Sequence, residues 1–466
     1  MALPVGMVGS VEVSVGETHE VAVEVVPKTA SVEIDMGKPM VVVTERVAPN
    51  GGYGWMVALM SFVLTFFLTG FTKSSGVLKS AVLEEFPGTG DLQARWLFGL
   101  IGTFGLFTSP LTYGLVAVYG QAILVSVGCA LTAFAFGLSY FASSATDVMI
   151  SLGVCCGVGS SFLVTSIVGG TGKFFTDKKP VATTFALSGG GIGAIVMPYI
   201  LRVLLAALGL RFTFVALAGL FLLLALAGLV YANPERHFLT KEKEVPLEDG
   251  DNGSSEEKAP QAFIDWAKSQ FFERLALRYY GNVVFCLTIA MAILTGLGSP
   301  HFVSSIRAYA KSIAVDDVGD TLRLCAQLGD LAARLVYGMS SPKSPFRRSA
   351  EIATALAVCA FSAVTVPFCT GYWQLVMLSC IGSFAVGVVN IAIPLVLTAH
   401  HGAADMSSCL SSVRWFQAVT GIAYRFVSPL LSSYGGVTLL LFVNGANLFG
   451  ATGIALALYF KGRFCE

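Results

Sequence analysis

The sequence predicts an all-α membrane protein whose transmembrane helices, about twelve in number, form two six-helix halves. Of the 466 residues, 55% are hydrophobic and only 12% are charged, and the mean hydropathy is +0.74. Soluble globular chains carry about 25% charged residues. A polar insertion near the middle of the chain separates two groups of apolar runs. These observations indicate two membrane bundles joined by a solvated linker.

The order of the elements follows from the apolar runs, which begin at Trp55. Six of them precede the insertion and six follow it. The insertion is rich in Lys, Glu, Asp, Gly and Ser, as linkers are, and Ala262 to Arg278 within it is predicted to be a short surface or linker helix. The N-terminal tail alternates apolar and polar residues from Val21 to Val26, but it lacks a core, so we expect disorder. The predicted divisions are a disordered cytoplasmic tail (1–50), a first half (51–232), a cytoplasmic linker (233–280), a second half (281–461) and a short cytoplasmic C-terminal tail (462–466).

The distribution of basic residues predicts the orientation in the bilayer. Lys173, Lys178 and Lys179 lie in a short loop between the fourth and fifth apolar runs, on the same side as the linker and the C-terminal end. Cytoplasmic loops carry an excess of Lys and Arg. We therefore expect a multi-pass protein of the plasma membrane with both termini in the cytoplasm.

Several function classes are disfavoured by the sequence. The formal net charge is zero, so nothing indicates nucleic-acid binding. The ten cysteines lack CxxC spacing, and no Ser/His/Asp order or HExxH motif supports an enzyme, a metal site or a cofactor. The glycine-rich segment Ser188 to Gly193 resembles a phosphate loop by composition only, because no strand precedes it. We expect this segment to allow close packing of helices instead.

The stretch from Thr321 to Arg334 puts charge inside an otherwise apolar helix. At about 100° per residue, Arg323, Gln327, Asp330 and Arg334 fall within an arc of roughly 60° and form a polar stripe about 16 Å long. Ionisable groups at membrane depth cost about 2.5 to 3.5 kcal/mol each on insertion scales, so they normally face a bundle interior or a wet cavity. Asp330 and Arg334 are four residues apart and can pair along the helix. The stripe is predicted to line a polar pathway.

Four more polar residues are candidates for the same pathway. Arg414, Gln417 and Arg425 share one face of a later helix, and the excess of arginine over aspartate favours an anion such as a carboxylate. Pairing of these arginines with carbonyl groups is the structural alternative. Lys73 lies near the end of the first apolar run, where it either snorkels to the interface or faces the cavity.

Three motifs carry a resemblance to the monocarboxylate transporters of the major facilitator superfamily. Asn50-Gly51-Gly52-Tyr53-Gly54-Trp55, followed by Phe71-Thr72-Lys73-Ser74, is similar to the family's first-helix signature. The loop from Lys173 to Ala182, which includes Lys178 and Lys179, is similar to its basic loop between helices four and five, and Gly329 to Arg334 resembles its eighth-helix Asp-x-x-x-Arg segment. Asn50, Thr72 and Asp177 depart from the family pattern.

The resemblance implies the major facilitator fold and symport of a short monocarboxylate, such as lactate or pyruvate, with a proton. It implies that Lys73 helps to bind the proton or the anion, that Asp330 accepts the proton, and that Arg334 holds the substrate carboxylate. Arg323, Arg414 and Arg425 match no family motif. Other branches of the family carry aromatic amino acids, thyroid hormone, creatine or carnitine, and some members need a single-span immunoglobulin-type partner. A facilitator of a larger amphipathic solute and a carboxylate receptor that does not transport remain the alternatives.

Overall fold

The polypeptide is organised as two bundles of long helices, with a small sheet outside them. The computed structural model describes residues 22–23, 40–47, 51–175, 179–232, 239–246, 279–298, 302–313, 318–340 and 345–464. The helices predicted from the apolar runs are present in both halves. The amphipathic helix predicted at Ala262 to Arg278 and the basic residue Lys178 lie outside the described residues.

The first half begins at Tyr53 and ends at Tyr231. Its helices are α1 (Tyr53–Lys73), α2 (Ser75–Glu85), α3 (Asp91–Trp96), α4 (Gly99–Phe107), α5 (Ser109–Tyr140), α6 (Ala145–Ile150), α7 (Gly157–Phe174) and α8 (Lys179–Leu224). A π-helical segment, Ser151–Cys156, joins α6 to α7, and a 3₁₀ segment, Ala225–Tyr231, follows α8. Buried side chains of this half form one hydrophobic cluster.

The second half begins at Val283. Its helices are α9 (Val283–Gly298), α10 (Phe302–Ser312), α11 (Val318–Ser340), α12 (Pro345–Thr365) and α13 (Tyr372–Phe464), with a 3₁₀ segment, Val366–Phe368, before α13. Its buried side chains form a second hydrophobic cluster, which also contains Tyr113 from α5 of the first half. Tyr113 therefore belongs to the packing between the two halves.

Three glycines break the longest helical runs. Gly120 in α5, Gly209 in α8 and Gly436 in α13 have φ values of 77°, 73° and 66°. Only glycine adopts this region readily, so each position allows the chain to change direction. Among the described residues, eight helical runs are long and apolar enough to cross a membrane, and three of them contain these glycines. The count of twelve spans stays a prediction.

Small residues bring α8 directly against α1, as expected for the Ser188 to Gly193 segment. A Cβ atom at Gly189 would lie 2.2 Å from the carbonyl oxygen of Phe62, and one at Gly193 would lie 2.1 Å from that of Phe66. The hydroxyl of Thr65 donates a hydrogen bond of 2.5 Å to the carbonyl of Ala186 in α8. The glycines therefore permit backbone contact between helices, which is their usual role in membrane bundles.

The described parts of the N-terminal tail (22–23 and 40–47) and of the linker (239–246) form strands, and the rest of the tail expected to be disordered lies outside the described residues. Strand β2 (Met40–Val47) pairs antiparallel with β3 (Leu239–Pro246) along its whole length, and β1 (Ala22–Val23) pairs with β2. The alternating pattern of the tail was visible in the sequence. That pattern contains β1, but the partner of β2 lies about 200 residues away in the linker, and a local pattern does not reveal such a pairing.

Candidate functional site

The candidate site is centred on an ion pair in the middle of α11. The carboxylate oxygen Oδ2 of Asp330 accepts a hydrogen bond of 3.1 Å from Nε of Arg334, and Nη2 of Arg334 lies 3.0 Å from the same oxygen. The side chains are only 12% and 16% exposed, respectively. This is the pairing expected from the spacing of four residues. It neutralises two charges that would be costly to bury separately.

The ion pair lies where α11 packs against other helices. A Cβ atom at Gly387 in α13 would lie 3.0 Å from Oδ1 of Asp330, so the carboxylate is pressed against that helix. One residue further along α11, Leu331 contacts Gly191 of α8, since a Cβ atom there would lie 2.8 Å from its Cδ1. Because α8 belongs to the first half, the pair is next to the boundary between the halves. A group at this boundary changes its surroundings when the halves move.

Gln327 is a further polar group on the same stripe. It is 8% exposed, and its Oε1 atom is buried with no hydrogen-bond partner among the described residues. Gln327 lies one helical turn before Leu331, which meets α8. An unpaired buried amide oxygen is costly, so this position is suited to accept a hydrogen bond from a molecule between the halves.

Arg323, the fourth member of the predicted stripe, lies in a separate place. It lines a cleft with Tyr199 and Arg202 of α8, and with Asp320 one turn earlier on α11. Asp320 and Arg202 form an ion pair of 2.5 Å. The predicted stripe therefore divides into a buried pair and a more exposed cluster. Arg202 and Asp320 were not predicted from the sequence, because their proximity depends on how α8 meets α11.

The arginines predicted on one face of α13 point toward the first half. Nη2 of Arg425 donates a hydrogen bond of 2.7 Å to the carbonyl of Gly99, and its guanidinium lies 5.3 Å from the ring of Trp96. Arg414 lies over the ring of Tyr113 at 6.0 Å. For Arg425, the alternative of pairing with a carbonyl is thus confirmed, and both arginines contact the other half.

Gln417 and Lys73 take other positions. Gln417 packs against α9, since a Cβ atom at Gly296 would lie 3.5 Å from its Cγ. Lys73 is exposed in the last turn of α1. Within the described residues it forms no ion pair with Asp330, so the structure does not bring these two predicted site residues into contact.

The signature at the start of α1 has a structural role. Gly52 caps the helix with φ of 56°, and a Cβ atom at Gly54 would lie 3.0 Å from the ring of Phe175. Tyr53 donates a hydrogen bond of 2.9 Å to the carbonyl of Val230, while the Trp55 and Phe175 rings lie 5.2 Å apart. The start of α1 therefore meets the end of α7 and the segment before the linker. We call this face of the molecule the linker side and the opposite face the distal side.

A substitution at Gly99 tests the contact with Arg425. A Cβ atom at Gly99 would lie 1.3 Å from Nη1 of Arg425, so Gly99→Ala must displace the guanidinium from its carbonyl acceptor. We expect a loss of roughly 1 to 3 kcal/mol in stability, since a charged donor loses its partner. Gly102→Ala is the control because open space surrounds that position on the same helix. Thermal unfolding of the two purified variants checks this expectation, and equal melting temperatures would contradict it.

The comparisons with known proteins agree with this architecture. The Major Facilitator Superfamily model matches residues 54–315, more than half of the chain. Monocarboxylate transporter 12 from Mus musculus is 23% identical over 399 residues, which cover 83% of this chain and 80% of the relative. Monocarboxylate transporter 2 from Mus musculus is 25% identical over 352 residues, which cover 73% and 70%.

A solved structure has the same fold. The crystal structure of the human organic anion transporter MFSD10 (TETRAN) superposes with a TM-score of 0.61 at 16% identity, and it covers 88% of this chain and 99% of that one. The superfamily match and the relatives indicate a multi-pass transport protein and not an enzyme. The chain belongs to the Major Facilitator Superfamily, and within it the chain is similar to the monocarboxylate transporters.

Proposed function

We propose that this protein carries a short monocarboxylate together with a proton across the plasma membrane, by alternating exposure of one site. The observation that supports this most directly is the buried ion pair of Asp330 and Arg334 beside the boundary between the halves. In this pair the Asp330 carboxylate is bound to the Arg334 guanidinium, which is the group proposed to bind the substrate carboxylate. Both termini and the linker are proposed to be cytoplasmic.

The coupling follows from competition for one guanidinium. While Asp330 is ionised, its Oδ2 accepts a hydrogen bond from Nε of Arg334 and forms an ion pair with Nη2 of the same guanidinium. Protonation of Asp330 removes its charge and frees these donors, and the substrate carboxylate takes its place with the fork geometry that arginine offers. An anion that arrives without a proton would put two carboxylates on one arginine, which is unfavourable. Proton and anion therefore favour each other's binding, and the effect is reciprocal.

Two other side chains are proposed to support this exchange. Gln327 has an unpaired, buried Oε1 on the same stripe, and this atom can accept a hydrogen bond from a hydroxyl group of the substrate. Lys73 is exposed at the distal end of α1, where an ammonium group attracts an approaching anion. Arg414 and Arg425 are assigned to contact between the halves because both lie against residues of the first half.

The test is uptake of labelled lactate by proteoliposomes that contain the purified chain, with the pH lower outside than inside. The parent is expected to accumulate lactate above its equilibrium level. Asp330→Asn mimics the protonated state, so it should still exchange lactate for lactate but should not accumulate it. Arg211→Gln is the control, because Arg211 pairs with Glu85 at 3.5 Å, away from the buried pair.

Each other outcome has a definite meaning. Accumulation by Asp330→Asn at the parental level would exclude Asp330 as the coupling group. A folded parent that transports no lactate would contradict the substrate class and favour a larger amphipathic solute, such as an aromatic amino acid, creatine or carnitine. Lactate binding without flux would indicate a receptor.

A further inference from the structure

A second polar site lies in the cleft where α8 meets α11. Contacts between α1 and α8 follow the same order along both helices: Trp55 meets Phe185, and further along Phe66 meets Gly193. The two helices are therefore parallel, and α8, like α1, leads from the linker side to the distal side. The cleft opens beyond these contacts, on the distal side. Its lining residues are Ala194, Ile195, Tyr199, Arg202, Asp320, Arg323 and Leu324.

The cleft carries more positive than negative charge. Asp320 pairs with Arg202 and shares the cleft with Arg323, so one carboxylate faces two guanidinium groups. Arg307 of α10 is near enough to act electrostatically on the same carboxylate. Nε of Arg307 is buried and has no hydrogen-bond partner among the described residues. Guanidinium groups that are partly removed from water require acceptors. The cluster therefore has donors for another oxyanion.

The internal ion pair is weak enough to be displaced. The side chains of Arg202 and Asp320 are 47% and 60% exposed. Exposed pairs of this kind contribute about 1 kcal/mol or less, because water and salt compete for both partners. A carboxylate from solution can replace Asp320 with the same fork geometry and, in addition, reach Arg323.

We propose that this cleft is a binding site for a small carboxylate anion, which competes with Asp320 for Arg202 and is also held by Arg323. The site is separate from the buried pair, because Asp320 and Asp330 are ten residues apart on α11, about 15 Å along the helix axis. Binding does not depend on transport. One consequence does rest on the proposed function: Arg202 and Asp320 belong to different halves, so an anion that separates them removes a link between the halves on the distal side.

The experiment measures the melting temperature of the full chain in detergent micelles against the concentration of sodium acetate, with sodium chloride at equal ionic strength. The background is Asp330→Asn/Arg334→Gln, which removes the buried carboxylate site. Ligand binding to the folded state raises the melting temperature. In this background, we expect acetate to stabilise the protein more than chloride does. Arg202→Gln and Arg323→Gln should each raise the half-saturating acetate concentration at least 10-fold, whereas Asp320→Asn should lower it several-fold.

Arg211→Gln is the matched control. Arg211 is 49% exposed, close to the 47% of Arg202, and its partner is Glu85. Acetate binding should be unchanged in this variant. The proposal is overturned if acetate and chloride act equally, if the background binds no acetate, or if Asp320→Asn fails to strengthen binding. A chain that binds acetate in the cleft but cannot accumulate lactate would leave this site standing and refute the transport proposal.

Discussion

Arg334→Gln is expected to abolish lactate uptake while the protein stays in the membrane. The substitution removes both donors that contact Asp330, at 3.1 and 3.0 Å, and with them the proposed anchor of the substrate carboxylate. Hydrogen bonds to charged groups contribute about 1.5 to 3 kcal/mol, so the loss corresponds to roughly 10- to 100-fold or more in apparent affinity. Equilibrium exchange of labelled lactate in proteoliposomes measures this effect without a contribution from the proton gradient.

The double variant Asp330→Asn/Arg334→Gln separates folding from function. Arg334→Gln alone leaves a buried carboxylate without its partner, and breaking such a pair costs about 3 to 5 kcal/mol. The double variant has no charge left at the pair, so most of this stability should return. Exchange should not return with it. Recovery of lactate exchange in the double variant would show that the substrate carboxylate binds elsewhere.

Gly193→Ala is expected to disrupt the packing of α8 against α1. A Cβ atom there would lie 2.1 Å from the carbonyl oxygen of Phe66, and 2.8 Å from its carbonyl carbon, so backbone and not a flexible side chain must move. Overpacking of this kind costs about 1 to 3 kcal/mol, and occasionally more. The yield of monodisperse protein and the melting temperature should both fall.

Gly219→Ala is the control for this prediction. Gly219 lies in the same helix, α8, and no atom lies within 4 Å of the Cβ position. Alanine is a better helix former than glycine by about 1 kcal/mol, so this variant should be as stable as the parent or slightly more stable. If both variants unfolded at the same temperature, the loss of stability in Gly193→Ala could not be attributed to the close contact between α1 and α8.

The local features of the site were predictable from the sequence. Asp330 and Arg334 pair because side chains four residues apart meet on any helix, whatever surrounds it. The use of Gly189 and Gly193 for packing followed from the composition of an apolar helix without a preceding strand. These inferences required only helical geometry.

The remaining features depend on which helices become neighbours. Arg323 lies on the same face of α11 as Asp330, yet its neighbours are different: it lines the distal cleft together with Arg202 and Asp320. Arg425 is held by the carbonyl of Gly99, which is 326 residues away in the chain. Helical periodicity identifies the face on which a residue lies. It does not identify the partner on the other helix.

The strand pair formed by Met40–Val47 and Leu239–Pro246 has a topological consequence. One strand precedes α1 and the other follows the last segment of the first half, so the two ends of that bundle are tied together over eight paired residues. The first half is therefore a closed loop of chain, and forming the strand pair costs the entropy of bringing its two distant ends together. Because β3 ends at Pro246, the strand pair sets the point at which the chain leaves the first half on its way to the second.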